Sequence, residues 1–480
     1  MNEFDYLAKA KNNMEKAKYH EVISLCGKAL KINSELPDAY DFRANAKYEI
    51  GEYDSAIDDF DELIKRDPNE AMHYYDRAWA YRQLDELEDA IIDINSAIKL
   101  EPKTSLFYYD KARFEYDSNR YKEALVTCTK AIELKPTENK YILRGKIYRE
   151  IGNNKKSLID FDKALDIEPE AYRAYYYRGT VKMVMGCYDD AVKDFEKTIE
   201  ICPNYYDAYV KIGMAKVETG QKDGMKYFNK VIKLCPECAD FYKLRFVARQ
   251  KIFKREQILK NLSLNKDINF DDEDKVFSEK QAKADIKDIN KVLSFEPDDI
   301  ASYAYRAKRY EFLNRYDKAI SDYTMLIRLE PEESWNYVMR AHCLERNGKY
   351  KEAVEDCNKA LDMNNGYGNV LIFSTRGISN YKLGNFADAY NDFSVTLDET
   401  QDSKIFYYRA LTHLQFRNFF QAYDDFAKAI EIEPEIESRM DEKIPLLIGM
   451  ILTFRDKFNN KNEKITQKHN DSPIGLNGIK

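Results

Sequence analysis

The residues with the most chemical potential are two cysteines, Cys235 and Cys238, which flank Pro236-Glu237 at the spacing of a metal or redox pair. A tetrahedral zinc site needs about four ligands, and no second such pair exists in the 480 residues. Cys202 precedes Pro203 just as Cys235 precedes Pro236. The pair therefore reads as variation at a repeated position. The histidines His20, His73, His342, His413 and His469 form no nucleophile–base pattern with Ser, Cys or Asp. No glycine-rich phosphate loop is present. The expectation is a non-enzymatic protein with no cofactor and no metal.

A second pattern is electrostatic. Arg43, Arg77, Arg144, Arg178, Arg306, Arg340, Arg376 and Arg409 are each followed 16 residues later by an aspartate: Asp59, Asp93, Asp160, Asp194, Asp322, Asp356, Asp392 and Asp425. Arg245 and Asp288 form a ninth pair at wider spacing. Where the series lacks the arginine (Lys9, Lys111, Ile212) it also lacks the aspartate (Leu25, Thr127, Tyr227). Matched loss points to structural ion pairs rather than a basic ladder for RNA. Pairing within one repeat leaves no orphan, whereas pairing with the preceding repeat would set Arg43, Arg144 and Arg245 against Leu25, Thr127 and Tyr227.

The elements that position these residues emerge from proline. Pro68, Pro102, Pro136, Pro169, Pro203 and Pro236 lie 33 or 34 residues apart, and Pro297, Pro331 and Pro434 continue the grid. With this proline as position 32, position 4 is aromatic in twelve units, from Tyr6 to Phe406. Position 8 is Ala or Gly except at Phe246, and position 20 is mostly small. Position 24 is often Phe, and position 15 is often Gly or Asn. Positions 4, 8 and 11 share one helical face, and 17, 20, 24 and 27 another. Small residues at 8 and 20 allow two antiparallel helices to approach, with aromatics at 4 and 24 filling the space above the crossing. Gly or Asn at 15 suits the left-handed residue that ends the first helix, and the proline ends the second.

These columns resemble the tetratricopeptide repeat family over about residues 3–436, with a period near 34. The resemblance implies an all-α, right-handed superhelical solenoid of about twelve helix-turn-helix repeats and a role as scaffold or adaptor. The expected organisation is repeats 1–7 over 1–236, a degenerate repeat 8 over 237–298 with an insertion near 255–278, and repeats 9–12 over 299–436. A capping helix over 437–460 and a disordered tail over 461–480 complete it. The insertion is polar and acidic and is expected to be the most mobile internal segment, a hinge, binding hook or inert loop.

Family grooves are lined by positions 2, 5, 9, 12 and 13 of the first helices. In repeats 3–6 this carries over to Tyr75, Trp79, Arg82, Tyr109, Arg113, Tyr116, Lys146, Arg149, Arg173 and Tyr176, with Asp117 and Glu150 among their neighbours. Aromatics and arginine are the stuff of binding hot spots, so the resemblance implies a protein or peptide partner with acidic character. The Lys and Asn residues of the family's chaperone-tail clamp are not supplied by successive repeats. A helical-repeat RNA binder is the alternative reading. A net charge of −8 with interspersed signs weighs against nucleic acid. The longest apolar stretch, from Ile444 to Phe454, is too short for a bilayer span of roughly 20 residues. The N-terminus lacks a signal-peptide pattern, so a cytoplasmic location without a membrane partner is expected.

Overall fold

The computed structural model describes residues 2–263, 278–363, 369–439, 444, 446 and 448–450. Within them the chain forms twelve helical hairpins, α1 (Glu3–Glu15) with α2 (Tyr19–Ile32) through α23 (Ser403–Gln415) with α24 (Phe419–Ile432), and a 3-10 turn at Pro434–Arg439. It divides into two compact units, Met1–Pro236 and Glu237–Lys480. Most of the expected insertion (264–277), most of the expected capping helix and the tail lie outside the described residues.

The regular unit is shown by α5 (Ala71–Gln83) and α6 (Leu87–Leu100). Ala78 on α5 and Ala90, Ile94 and Ala97 on α6 are fully buried where the helices cross. Asp85 takes a left-handed φ of 64° at the turn, and the Glu86 amide donates back to the Tyr81 carbonyl at 3.0 Å, the helix-stop geometry. The same column is left-handed in every repeat where it is glycine or asparagine, and also at Ala17 and Arg417. The turn thus persists where the residue type disfavours it.

The two aromatic columns have different duties. At position 24, Phe60, Phe161, Phe195, Phe228, Phe393 and Phe426 are essentially inaccessible to solvent. Burying each such side chain is worth roughly 1.5–3 kcal/mol. Phe161 lies so close to Gly145 that a Cβ there would sit 2.7 Å from its ring, and Phe195 crowds Gly179 in the same way at 2.8 Å. At position 4 the rings are mostly half-buried rather than core. Tyr74, Tyr108, Tyr209 and Tyr303 donate their hydroxyls to the carbonyls of Pro68, Pro102, Pro203 and Pro297 at 3.1–3.3 Å. The position-4 rings pack against the core as expected, and in these four repeats the hydroxyl also fastens the first helix to the preceding proline turn.

In the first unit, α1 through α14 (Met225–Leu234) run as seven hairpins. In the second, α15 (Ala239–Ser263) is 25 residues long and packs on α16 (Glu279–Phe295). The regular rhythm resumes at α17 (Ile300–Phe312) and α18 (Tyr316–Leu329). No helix among the described residues is long and apolar enough to cross a membrane.

Candidate peptide-binding groove

The repeated ion pairs lie inside single hairpins. Arg43, Arg77, Arg144, Arg178, Arg306, Arg340, Arg376 and Arg409 each grip the aspartate 16 residues on through Nε and Nη2, at 2.5–3.0 Å. Each guanidinium also stands 5.3–5.8 Å from the position-4 ring of its own helix. The remaining nitrogen, Nη1, often reaches back to the preceding repeat: from Arg178 to Asp162 (2.6 Å), from Arg306 to Asn290 (2.7 Å), from Arg376 to Asn358 (2.7 Å). Sequence spacing did not reveal this third contact, which makes the arginine a link between units as well as within one. Burial holds the Asp93, Asp322 and Asp392 carboxyls above the usual range against the pull of their arginines.

The first helices of the first unit meet through their side chains. On α5 and α7 (Ser105–Asp117), Tyr75 donates to Asp110 at 2.7 Å, and Asp110 also accepts from Arg113 at 3.0 Å. Arg82 donates to Asp117 at 2.7 Å. Trp79 lies between Arg82 (5.5 Å) and Arg113 (4.9 Å) and edge-on to the buried Phe114. Tyr109 also faces Arg113, at 5.8 Å. On α9 (Glu138–Glu150), Arg149 pairs with its neighbour Glu150, which also accepts from Tyr116 at 3.3 Å. Three of the five cations in the expected lining are thus neutralised from within. Asp110, at position 6, is the residue the family positions missed. It lies one turn before position 9 on the same face, a signal present in the helical spacing.

Lys146 differs. Its ammonium sits 4.5 Å from the Tyr116 ring centroid and 5.3 Å from that of Tyr177. Among the described residues no carboxylate lies within 4.0 Å of it. Burial, reinforced by the charge of Arg149, holds its pKa below the ordinary lysine value. Beside it opens a cleft of about 650 Å³ between α9, α11 (Tyr172–Val184) and α13 (Tyr206–Glu218), whose lining includes Arg149, Tyr176, Tyr177, Met183 and Tyr205 together with Asp207, Lys211 and Glu218. Tyr176 packs against Tyr205 at 4.9 Å, and Arg173, exposed, accompanies Tyr172.

The other end of this face is acidic. Asp76 on α5 is half-buried and has no cation within 4.0 Å among the described residues. Burial, with Asp41 and Glu70 adding repulsion, pushes its pKa up to about 7. Cys235 and Cys238 are free thiols, partly exposed. No three His, Cys, Asp or Glu side chains converge on a metal position among the described residues.

The tetratricopeptide repeat family matches residues 43–102, 106–138, 141–170, 172–205 and 336–367. The chain is a tetratricopeptide repeat protein. No curated protein matches it in sequence. Similar solved structures include a MamA protein, at 25% identity over 34% of this chain and 90% of that one, with a TM-score of 0.32. Another is YrrB, described as a repeat protein with an unusual peptide-binding site, at 20% identity over 40% and 97%, TM-score 0.33. A third is a repeat protein of Cytophaga hutchinsonii, at 19% identity over 55% and 97%, TM-score 0.40.

Proposed function

We propose that this chain is a non-catalytic interaction scaffold whose first unit holds an extended or helical segment of a partner protein, with an acidic side chain of that segment placed on Lys146. The observation that carries the reading is Lys146 itself. A half-buried ammonium with aromatic walls and no carboxylate within 4.0 Å, with Asp117 and Glu150 acting on it only from farther off, is relieved by an incoming carboxylate. The adjoining cleft offers Tyr176, Tyr177, Tyr205 and Met183 to the partner's apolar side chains, the kind of surface on which binding energy concentrates. The internal neutralisation of Arg82, Arg113 and Arg149 speaks against a phosphate-tracking RNA groove, which needs cations free to displace counterions. Binding of the purified chain to an array of random peptides tests the reading. Acidic sequences with flanking aromatic or aliphatic residues should be enriched, and Lys146→Glu should remove the enrichment. An array without acidic preference would sink it.

A further inference from the structure

Two junctions between repeats carry charges of opposite sign at the same positions. On α16 and at the start of α18, Lys283, Lys287 and Lys291 (positions 18, 22 and 26 of repeat 8) and Arg315 and Lys318 (positions 16 and 19 of repeat 9) rim a cleft of about 610 Å³. The rest of its lining, which includes Ile286, Tyr310 and Leu313, is neutral, and no carboxylate belongs to it. On α4 (Tyr53–Arg66) and at the start of α6, the same five positions of repeats 2 and 3 hold Asp54, Asp58, Glu62, Glu86 and Asp89. Positions 11 and 14 beside them are alike in both places: Tyr81 and Leu84 in one, Tyr310 and Leu313 in the other. No other junction carries one sign at all five positions.

Most of these charges have no partner among the described residues. Lys287, Lys291, Arg315 and Lys318 have no described carboxylate within 4.0 Å, and Asp54, Asp58, Glu86 and Asp89 have no described cation within 4.0 Å. All eight are exposed. Two members of the rims are partnered. Lys283 pairs with Glu279 at 2.5 Å, and Glu279 acts on Arg315 only from farther off. Glu62 pairs with Arg66 and lies 3.9 Å from Lys65. Other charges on the same helices are engaged: Arg77 with Asp61 and Asp93, Arg120 with Glu88, Arg306 with Asp322. Asp317, exposed next to Lys318 in sequence, stands outside the cleft lining.

Like charges four residues apart on a helix, about 5–6 Å between Cβ atoms, repel each other. Each rim is therefore relieved by a surface of opposite sign. The complement of the basic rim, position for position, is the acidic rim of this same chain. Facing antiparallel, α4 and α16 set Asp54, Asp58 and Glu62 against Lys291, Lys287 and Lys283, with Glu86 and Asp89 opposite Arg315 and Lys318. We propose that the chain associates head to tail with a second copy of itself, the acidic rim of repeats 2 and 3 in one copy seated on the basic rim of repeats 8 and 9 in the other. A nucleic-acid strand would meet only the basic rim and would leave the acidic one without a role. The contact joins unlike surfaces, so each copy of a pair keeps one free rim, and the assembly closes into a ring or extends into a chain. Exposed ion pairs are individually weak and screened by salt, which makes the association reversible and sensitive to ionic strength. The proposal does not rest on the reading of the Lys146 cleft.

Sedimentation velocity of the full chain tests it. The wild type at tens of micromolar should self-associate in about 50 mM salt, and about 500 mM salt should weaken the association about tenfold or more. The variants Asp54→Lys/Asp58→Lys and Lys287→Glu/Lys291→Glu should each sediment as a monomer alone. An equimolar mixture of the two should associate again, because the altered rims match each other and so do the untouched ones. Lys146→Glu should leave the association unchanged. The four replaced side chains are exposed, so both variants should melt as the wild type does. If either unfolds early, Asp54→Asn/Asp58→Asn and Lys287→Gln/Lys291→Gln carry the monomer prediction. A wild type that is monomeric at low salt, variants that associate as it does, or a mixture that stays monomeric overturns the proposal. So does association that appears only when Asp271, Asp272, Glu273 and Asp274 are replaced by their amides, which would assign the basic rim to the chain's own acids.

Discussion

The hairpin of α5 and α6 and the hairpin of α15 and α16 solve one packing problem in opposite ways. In the first, Ala78 and Ala90 let the backbones close together, and a single bidentate pair, Arg77 with Asp93, latches the edge. In the second, the same columns hold Phe246 and Asp285. Phe246 packs against Tyr305 on α17, ring centroids 5.0 Å apart. Asp285 is completely buried and accepts from Gln250 at 2.6 Å, Arg309 at 3.0 Å and Arg249. Arg249 also reaches Asp288 at 2.7 Å, beside Arg245 at 3.0 Å. Arg309 closes the network on Gln250 at 2.8 Å. A carboxylate can therefore stand where the array elsewhere places a small residue, provided both of its oxygens find donors. Arg249 and Gln250, within the first thirteen residues of α15, supply two of those donors.

The sharpest way to break this comparison is to remove the central acid. Asp285→Ala removes the buried acceptor that Arg249, Arg309 and Gln250 share inside the second unit, leaving Arg249 on Asp288 and Arg309 on Gln250, and should cost about 3–5 kcal/mol. Asp93→Ala leaves Arg77 at a partly open edge, with Asp61 still beside it, and should cost less. Urea unfolding of the two variants measures both, and equal losses would mean that the two latches are equivalent.

Position 8 should lose stability in the two hairpin types through opposite changes of volume. Phe246→Ala empties a filled site and should cost roughly 3–5 kcal/mol. Gly145→Ala adds a methyl group against Phe161 and should cost about 1–3 kcal/mol by overpacking. Thermal unfolding reports both, and a neutral Gly145→Ala would show that the crossing has slack.

Asp76 is the counter-case to Asp285: an acid without cations. Its folded pKa, about 7, lies above the unfolded carboxylate value near 4. The folded state therefore binds the proton more tightly, and its contribution to stability is full below about pH 4 and lost as pH rises toward 7. Melting temperature should fall over that window, and Asp76→Asn should flatten the fall. An unchanged profile in the variant would assign it elsewhere.

The smallest expected effect is at the turns. Arg417 has φ 61°, where most repeats place glycine or asparagine. Arg417→Gly should stabilise by up to about 1 kcal/mol, read as a modest rise in melting temperature.

The repeat grid, hairpin phase and partner columns were legible because they recur. One arginine means little, but nine arginines that vanish with their aspartates reveal a contact. The Nη1 link to the preceding repeat was hidden because its acceptor varies among Asp162, Asn290 and Asn358, different residue types at one position. Asp285 and Phe246 were visible as departures, but nothing in their spacing showed that Arg249, Gln250 and Arg309 would meet the acid. The expected lining was legible as a face, but its electrostatics were not. Family positions counted Arg82, Arg113 and Arg149 as cations and omitted Asp110, so the singular status of Lys146 required the geometry.

The measurement that tests that status most directly is a charge-swap cycle with an acidic peptide selected by the wild-type chain. Lys146→Glu should weaken binding by at least about tenfold, and replacing the peptide's acidic residue by lysine should restore it with the variant chain, a coupling of about 1.5 kcal/mol or more. Undiminished binding of the acidic peptide by Lys146→Glu would contradict the account.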